Sequence, residues 1–318
     1  MKMRILSAND VRHALPMADA IAGMKQAFAQ LATGQAVVPL RGRVNVAPVS
    51  GTTLVMPAYL AQSGDLAVKV VSVFPQNSAQ HEPTIYAAVL VLDATTGRPL
   101  ALLEGGTLTA IRTGAGAGAA TDLLARPDAS VVAILGSGVQ ARTQLEAVCT
   151  VRHIREVRVY SPTNEHAVEF ARQMRGQGPI PQLIRIMSNA ETAVRGADII
   201  CTATTSSKPV FKDKDVSPGT HINGVGSYTP AMQEVDAATV KRALVVVDSR
   251  EAAWEEAGDL IVPLQAGLIN EAHIHAELGE IAAGLKPGRT SPEQITFFKS
   301  VGNAAQDAIS GRIALENA

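Results

Sequence analysis

Residues 130–143 constrain this chain more than any other stretch. Residues 130–135 form a short apolar run rich in β-branched side chains, which is typical of a buried parallel strand. The next six residues fit the pattern G-x-G-x-x-A: Gly136, Ser137, Gly138, Val139, Gln140 and Ala141. Gly136 allows a tight turn, Gly138 lets a pyrophosphate approach the backbone, and Ala141 allows close helix–strand contact. An ordinary strand-to-helix turn is the alternative, but the full context favours a dinucleotide site.

Strand and helix patterns alternate on the carboxyl side of this motif. Strands are predicted at 131–135, 156–160, 183–186, 198–201, 221–223 and 243–247. Helices are predicted at 139–149, 165–174 and 189–194, with shorter ones near Trp254 and at 277–283. A final strand near 296 precedes a helix at 304–315. This order predicts an α/β fold with a Rossmann-type doubly wound parallel sheet.

The first hundred residues show a different pattern. A helix is predicted over residues 7–34, followed by extended segments at 37–46, 52–59, 66–74, 84–92 and 100–103. They suggest an antiparallel sheet, and a helix at 107–124 then crosses to the nucleotide-binding part. Three glycines in that helix indicate close approach to another backbone or a ligand. We expect two domains: residues 1–115 plus 293–318 for substrate binding and dimerisation, and residues 116–292 for the dinucleotide.

Composition narrows the possible environments and partners. The 318 residues carry a net charge of −1, so no global field attracts nucleic acid or membrane. No uninterrupted apolar run is long enough to span a bilayer, and the amino-terminal residues do not resemble a signal peptide. Cys149 and Cys201 are interpreted as small buried hydrophobic residues in a reducing compartment. We therefore expect a cytoplasmic protein.

The end of the second predicted strand bears on the choice of cofactor. A carboxylate at this position usually binds the ribose 2′-hydroxyl of NAD(H), but this chain has Ser161 there. Ser161, Thr163 and Asn164 can donate hydrogen bonds to a 2′-phosphate, and Arg142 can add positive charge. The pattern favours NADP(H) over NAD(H), although the same residues could simply cap the next helix.

Several separated stretches together resemble the ornithine cyclodeaminase/μ-crystallin family over nearly the whole chain. They are Val38-Pro39-Leu40-Arg41, Met56-Pro57-Ala58-Tyr59, Val68-Lys69-Val70-Val71, Ile111-Arg112-Thr113, Val139-Gln140-Ala141 and Phe298-Lys299-Ser300-Val301-Gly302-Asn303. The resemblance implies a nicotinamide-binding domain, a second α/β domain that forms a homodimer, and a small 2-imino or 2-keto acid as substrate.

The resemblance also implies roles for particular residues. Lys69 and Arg112 match the substrate-carboxylate ligands, and arginine suits two-point carboxylate binding. An edge-strand lysine and a surface arginine are the alternatives. Arg41 matches a further ligand by its context and Arg43 by its spacing; at positions i and i+2 they share a face of a strand. The implied cofactor contacts, beyond the glycine loop and Ser161, Thr163 and Asn164, are Thr113, Thr202, Ala203, Thr204, Val225, Gly226, Ser300, Val301 and Gly302.

Two departures argue against ornithine cyclisation. Ser227 stands where cyclodeaminases carry a proton-transferring aspartate, and a serine hydroxyl needs activation before it can act as a base. Residues 53–55 lack the carboxylate that holds a distal amine. Lys69, Arg112 and Ser227, the last orienting a water, are therefore the expected catalytic residues for reducing a preformed imine.

The resulting prediction is NAD(P)H-dependent reduction of a cyclic 2-imino acid, Δ1-pyrroline-2-carboxylate or Δ1-piperideine-2-carboxylate, to an L-amino acid. Alternatives are an alanine dehydrogenase-like enzyme, an ornithine cyclodeaminase, and a non-catalytic protein that binds NADPH and a small ligand. No metal is expected, because the pair His273 and His275 lacks the further ligands that zinc needs. His81 is a weaker candidate for the pocket mouth.

Overall fold

A computed structural model describes residues 2–80 and 82–318, so His81 lies outside the described residues. The chain divides into two compact units, residues 1–112 with 303–318, and residues 113–302. These limits differ from the expected boundaries at 115 and 293. Residues 293–302 lie in the second unit because the strand at Thr296–Lys299 pairs within its sheet.

The first unit is built on a mixed sheet covered by helices. Its strands are β1 (Arg4–Leu6), β2 (Ala36–Val37), β3 (Gly42–Val46), β4 (Gly51–Leu60), β5 (Asp65–Val73), β6 (Ile85–Asp93) and β7 (Pro99–Glu104). Within the described residues the order is β1-β7-β6-β5-β4-β2, with β3 also on β4. β1 pairs in parallel with β7, and the other pairs are antiparallel. The sheet is therefore not purely antiparallel, since the short β1 was not predicted.

Two predicted segments of this unit are interrupted. The single helix expected over 7–34 is two helices, α1 (Ala8–Ala14) and α2 (Met17–Ala32), because Pro16 lacks an N–H and stands at the start of α2. The extended segment expected over 37–46 is divided into β2 and β3 by residues 38–41. Pro39 lies in that gap, where no ladder hydrogen bond is required of it.

Helix α3 (Gly105–Leu124) leads into the second unit, whose sheet is entirely parallel. The strands are β8 (Val131–Leu135), β9 (Glu156–Tyr160), β10 (Ile184–Ile186), β11 (Ile199–Thr202), β12 (His221–Gly224), β13 (Leu244–Val247), β14 (Ile274–Glu277) and β15 (Thr296–Lys299). Among described residues their order is β10-β9-β8-β11-β12-β15-β13-β14. The predicted doubly wound α/β fold is confirmed.

Helices flank both faces of this second sheet. They are α4 (Val139–Val151), α5 (Asn164–Met174), α6 (Ala190–Val194), α7 (Ala237–Arg242), α8 (Arg250–Glu256), α9 (Gly258–Gln265) and α10 (Leu278–Ala282). Helix α11 (Ala304–Asn317) returns to the first unit. Ala133 and Leu135 belong to one buried cluster and Val132 and Ile134 to another, so both sheet faces are buried. Strand β14 and helices α7 and α9 were missed because they are short or, like α9, contain a proline.

The expectations about membrane and metal can be compared only with the described part of the chain. No helix there is both long and apolar enough to cross a membrane. No group of three or more His, Cys, Asp or Glu side chains in those residues could hold a metal. His273 and His275 each contact a backbone carbonyl, of Val240 and Pro287 respectively. Cys149 and Cys201 are buried thiols.

Glycine in α3 permits the close helix contact that its composition indicates. A Cβ added at Gly114 would lie 2.6 Å from the backbone carbonyl of Thr143 in α4. Gly114→Ala should therefore force the two helices apart and lower the free energy of unfolding by about 2 kcal/mol, in the range of overpacked cores. Chemical denaturation with urea measures this change.

Gly23→Ala is the matched control for this prediction. Its added Cβ would lie 2.6 Å from the terminal Cδ1 of Ile313 and at ordinary contact distance from Ile309. A side-chain end can rearrange more easily than a backbone carbonyl, so the helix-propensity gain of about 1 kcal/mol should offset the rearrangement. Equal stabilities for the two variants would contradict the proposed backbone contact.

Candidate active site

The first unit contains a buried ion-pair cluster at the amino-terminal end of α11. Lys69, in the centre of β5, is 2% exposed, and its Nζ lies 2.7 Å from Oδ2 of Asp307. Arg112, in α3, donates from Nε to Oδ1 of the same carboxylate at 3.1 Å. Asp307 is 1% exposed and therefore joins two buried cations. Lys69 is not an edge-strand residue, because β5 pairs with both β4 and β6.

The first turn of α11 is itself fixed by a reciprocal capping arrangement. Asn303 is the N-cap, and its side chain accepts a hydrogen bond from the N–H of Ala305. The Oε1 of Gln306 accepts from the N–H of Asn303 and from Nη1 of Arg112, at 3.0 and 2.9 Å. An acidic residue is also favourable in this turn because it faces the positive end of the helix dipole. The local helix start thus positions both acceptors of Arg112.

The cluster carries more positive than negative charge. Burial is the main cause that lowers the pKa of Lys69 to about 8, and the charges of Arg112 and Arg41 lower it further, whereas Asp307 raises it. Lys69 and Arg112 share one carboxylate, so the three groups sum to one net positive charge. A buried excess cation is costly unless an anion joins it. The arrangement is suited to binding a carboxylate ligand.

The two candidate arginines near β3 differ in their placement. Arg43 is exposed and lies opposite Leu54, which in turn lies opposite Val71 on the same sheet face as Lys69. Arg41 is half-buried just before β3, and its charge affects the pKa of Lys69. These observations favour Arg41 and place Arg43 at the exposed margin of that face.

The glycine loop of the second unit has the local geometry that a pyrophosphate requires. Gly136 adopts φ of +110°, and its N–H donates to the carbonyl of Tyr160. Gly138 is the N-cap of α4 and offers no side-chain cap, and a Cβ added there would meet no atom within 4 Å. The open space at Gly138, beside a helix amino terminus, fits the phosphates of a dinucleotide.

The remaining loop residues lie along the same carboxyl edge. Ser137 and Gln140 are half-buried, and Val139 is 65% exposed. Ser161, directly after β9, accepts a hydrogen bond from Ser137. Thr163 and Asn164 follow as exposed residues. Thr113, in α3, is 7% exposed, so it presents little side-chain surface.

Two buried carboxylates organise the other predicted cofactor segments. Glu234 accepts hydrogen bonds from the hydroxyl of Thr202, from both the N–H and the hydroxyl of Thr204, and from the N–H of Gly226. Ala203 and Val225, in the same two segments, are half-buried. These residues therefore lie in loops fixed by a charged group whose role was not predicted from the sequence.

Asp248 fixes the segment after β15 in a similar way. Its Oδ2 accepts from the hydroxyl of Ser300 and from the N–H groups of Val301 and Gly302, at 2.8, 3.0 and 2.6 Å. Ser300 is 3% exposed, and its hydroxyl makes this hydrogen bond within the protein. Burial raises the pKa of Asp248, while these donors and the charge of Lys299 lower it.

The structure corrects the role expected for Ser227. Its side chain is fully buried; the hydroxyl donates to the carbonyl of Met232 at 2.7 Å and accepts from the N–H of Asp259 at 3.1 Å. The hydroxyl proton is therefore used within the loop, and the fully buried side chain offers no surface to a reacting group. Ser227 is a loop-stabilising residue in this structure.

The sequence alone did not predict roles for Asp307, Glu234 and Asp248. Asp307 stands in a helix start among small residues, where a carboxylate without an obvious partner is a usable signal. Asp248 directly follows the apolar strand β13, at the sheet edge where ligands bind in such folds. Glu234 gives little signal, because it lies in an irregular segment beside Asp236.

Known proteins resemble this chain over nearly its whole length. The chain is 43% identical over 317 residues to a Δ1-pyrroline-2-carboxylate reductase of Bacillus cereus, covering 99% of this chain and 97% of that protein. The structure matches that of the Thermococcus litoralis Δ1-pyrroline-2-carboxylate reductase in complex with NADH and L-proline, with a TM-score of 0.94, 45% identity and coverage of 99% and 97%.

An archaeal alanine dehydrogenase dimer with bound NAD also matches, with a TM-score of 0.92, 36% identity and coverage of 100% and 96%. The model of the ornithine cyclodeaminase/mu-crystallin family matches residues 1–318. The chain therefore belongs to the ornithine cyclodeaminase/mu-crystallin family, as its separated sequence motifs predicted.

Proposed function

We propose that this protein reduces Δ1-pyrroline-2-carboxylate, or its six-membered homologue, to the L-amino acid. The observation that carries the proposal is the buried cluster of Lys69, Arg112 and Asp307, whose excess positive charge suits a substrate carboxylate. As a member of this family, the chain is an NAD(P)-dependent oxidoreductase that acts on carbon–nitrogen bonds. The identity of 43% to a reductase of that substrate supports this choice.

Within the cluster, each residue has a distinct part. Arg112 and Lys69 would bind the carboxylate by charge-assisted hydrogen bonds, with Arg41 adding positive charge from the same region. Asp307 holds both cations in place and keeps Lys69 protonated near neutral pH. Leu54, opposite Val71 on the Lys69 face of the sheet, offers apolar surface for a hydrocarbon ring.

The second unit would hold the cofactor through its glycine loop. Gly136 and Gly138 allow the backbone of the loop to approach a pyrophosphate. When bound, a reduced nicotinamide supplies hydride. We propose that NADPH is preferred over NADH, because the position after β9 has Ser161, so no carboxylate there repels a 2′-phosphate.

The structure disfavours ornithine cyclisation. The buried hydroxyl of Ser227 is engaged with Met232, so this position provides no general base. Thr53 bonds to Ser72 across the β4–β5 pair, and residues 53–55 provide no carboxylate for a distal amine. An alanine dehydrogenase remains the second candidate because of the 36% identity to the archaeal enzyme.

The proposal also includes a homodimer. One face of the first sheet is covered by α11, which contacts β4, β5 and β6. The opposite face carries Val55, Val70, Pro57, Val68 and Leu90 in neighbouring register; Val55 and Val70 are 39% and 40% exposed. A continuous apolar sheet face of this kind is typical of protein–protein interfaces.

A substrate panel tests the proposed reaction most directly. Oxidation of NADPH would be followed by absorbance with Δ1-pyrroline-2-carboxylate, Δ1-piperideine-2-carboxylate, and pyruvate with ammonia, with NADH in parallel. We expect turnover of a cyclic imino acid and a higher kcat/KM with NADPH. Turnover only with pyruvate and ammonia would replace the proposal by alanine dehydrogenase activity, and cofactor binding without turnover would support a binding protein.

The pH dependence of kcat/KM tests the role of Lys69. Because the pKa of Lys69 is lowered to about 8, its charge is present below that pH and lost above it. We expect kcat/KM for the imino acid to fall as pH rises through about 8. Asp307→Asn removes the charge that raises this pKa, so the fall should move to lower pH.

Asp93→Asn is the matched control for this profile. Asp93 is the last residue of β6, where its side chain accepts backbone hydrogen bonds from Thr95 and Thr96 in the following turn, so its variant should keep the wild-type profile. Because the ionisation of the substrate is common to all three proteins, only a shift in Asp307→Asn supports the role of Lys69. Superimposable profiles would contradict it.

The oligomeric state tests the exposed sheet face. Val68→Asp places a charge at its centre and should convert a dimer to monomers in light scattering after size-exclusion chromatography. Val168→Asp, at an exposed position of α5 in the other unit, should leave the mass unchanged. A wild-type protein that is monomeric at micromolar concentration would contradict the dimer.

A further inference from the structure

Glu234 is a buried carboxylate outside the substrate cluster, it accepts four hydrogen bonds, and the proposed reaction does not use it. It is 0% exposed. Its Oε1 accepts from the N–H and hydroxyl of Thr204, at 2.6 and 2.8 Å. Its Oε2 accepts from the hydroxyl of Thr202 at 2.8 Å and the N–H of Gly226 at 2.7 Å. Four donors match the four lone-pair sites of an ionised carboxylate.

These donors come from two different crossovers of the parallel sheet. Thr202 and Thr204 end and follow β11, while Gly226 follows the neighbouring strand β12. A Cβ at Gly226 would collide with the carbonyl oxygen of Thr204 and with the Glu234 carboxylate. Glu234 therefore joins two loops that approach each other so closely that position 226 must be glycine.

The fastened loops lie beside the glycine loop. The N–H of Ala203 donates to the carbonyl of Leu135, and a Cβ at Gly136 would meet the backbone of Ala203. In this sheet the order reverses between β8 and β11, and ligands of such folds bind outside the carboxyl ends at that point. The segment that Glu234 holds thus forms one wall of the predicted dinucleotide site.

A second buried carboxylate fixes Glu234 itself. Asp259 accepts from the backbone N–H groups of Glu234 and Val235 through Oδ1, at 2.6 and 2.9 Å. Its Oδ2 lies 3.7 Å from Nζ of Lys299, which also donates to the carbonyl of Gly224. Burial and the Asp259 charge raise the pKa of Glu234, whereas Lys299 and the Thr204 bonds lower it. The network supplies a counter-charge to the buried carboxylates.

We propose that Glu234 is a positioning residue for the nicotinamide end of the cofactor, acting through the loops that follow β11 and β12. This inference rests on the proposed function, since it requires a bound dinucleotide. Glu234→Gln would keep the shape of the side chain but would place amide N–H groups against N–H and O–H donors. Because donors then face donors, the two loops should separate. The nicotinamide contacts should weaken, while contacts to the adenosine phosphates at the glycine loop should persist.

Asp198 provides a matched control at the amino ends of the strands of the same sheet. It precedes β11 and accepts from the backbone N–H groups of Ser130 and Val131 and from Arg126. Asp198→Asn also replaces a carboxylate that joins neighbouring strands, but at their amino ends. It should lower the melting temperature without altering cofactor binding.

The experiment compares wild type, Glu234→Gln and Asp198→Asn by calorimetric titration with NADPH and with 2′,5′-ADP, which lacks the nicotinamide. For Glu234→Gln we expect a Kd for NADPH raised about tenfold, a Kd for 2′,5′-ADP within twofold of wild type, and a lower kcat. Equal effects on both ligands, or the same binding in both variants, would show that Glu234 only stabilises the fold and would overturn the proposal.

The outcomes separate this inference from the proposed function. If wild type binds NADPH but reduces no cyclic imino acid, the proposed reaction fails while the split between NADPH and 2′,5′-ADP still decides the role of Glu234. If wild type binds neither NADPH nor NADH, both fail. If it binds NADH alone, only the preference for NADPH fails, and the same split is measured with NADH and 5′-ADP. If Glu234→Gln does not fold, Thr202→Val, which removes a single donor, takes its place. Its Kd for NADPH should rise about threefold while its Kd for 2′,5′-ADP stays unchanged. An equal effect on both ligands in that variant would overturn the proposal.

Discussion

The ion pairs of Asp307 with Lys69 and Arg112 are the interaction on which the proposed substrate site depends. Two cations that are only 2% and 6% exposed would be costly without this carboxylate, and removing one member of such a buried group commonly costs about 3–5 kcal/mol. One carboxylate does not balance two cations, however. The remaining positive charge makes the cluster receptive to an anion, and the capped start of α11 keeps it in a fixed geometry.

The second unit uses buried carboxylates for a different purpose. Glu234 and Asp248 bind backbone N–H and hydroxyl donors of the loops that follow β11, β12 and β15. A parallel sheet places these loops at one edge but does not determine their conformation. The two carboxylates fix these loop conformations through hydrogen bonds made within the protein.

The sequence predicted the features that local patterns encode. The strand, glycine loop and helix at 131–151 follow from apolar periodicity and backbone freedom, and Lys69 was notable as a charge in an apolar strand. The break between α1 and α2 at Pro16 was not predicted, because helical periodicity continues on both sides of the proline. The role of Asp307 could not be predicted, because its cationic partners lie at least 195 residues away along the chain. The role of Glu234 could not be predicted either, because its donors lie up to 32 residues away.

Ser227 illustrates a different limit of prediction. Its alignment with a catalytic position of related enzymes suggested chemistry, but only the fold reveals that its hydroxyl bonds to Met232 and Asp259. A short polar side chain can serve either purpose, and burial with satisfied hydrogen bonds decides between them. The two departures from the cyclodeaminase pattern therefore point to a site that binds a carboxylate and relies on the cofactor for reduction.

The role proposed for the cluster of Lys69, Arg112 and Asp307 is to recognise a carboxylate. Calorimetric titration of the enzyme with oxidised cofactor should compare L-proline, the expected product, with L-prolinamide, in which a neutral amide replaces the carboxylate. Two lost charge-assisted hydrogen bonds are worth about 1.5–3 kcal/mol each, so we expect at least a hundredfold weaker binding of the amide. Equal affinity for the two ligands would contradict it.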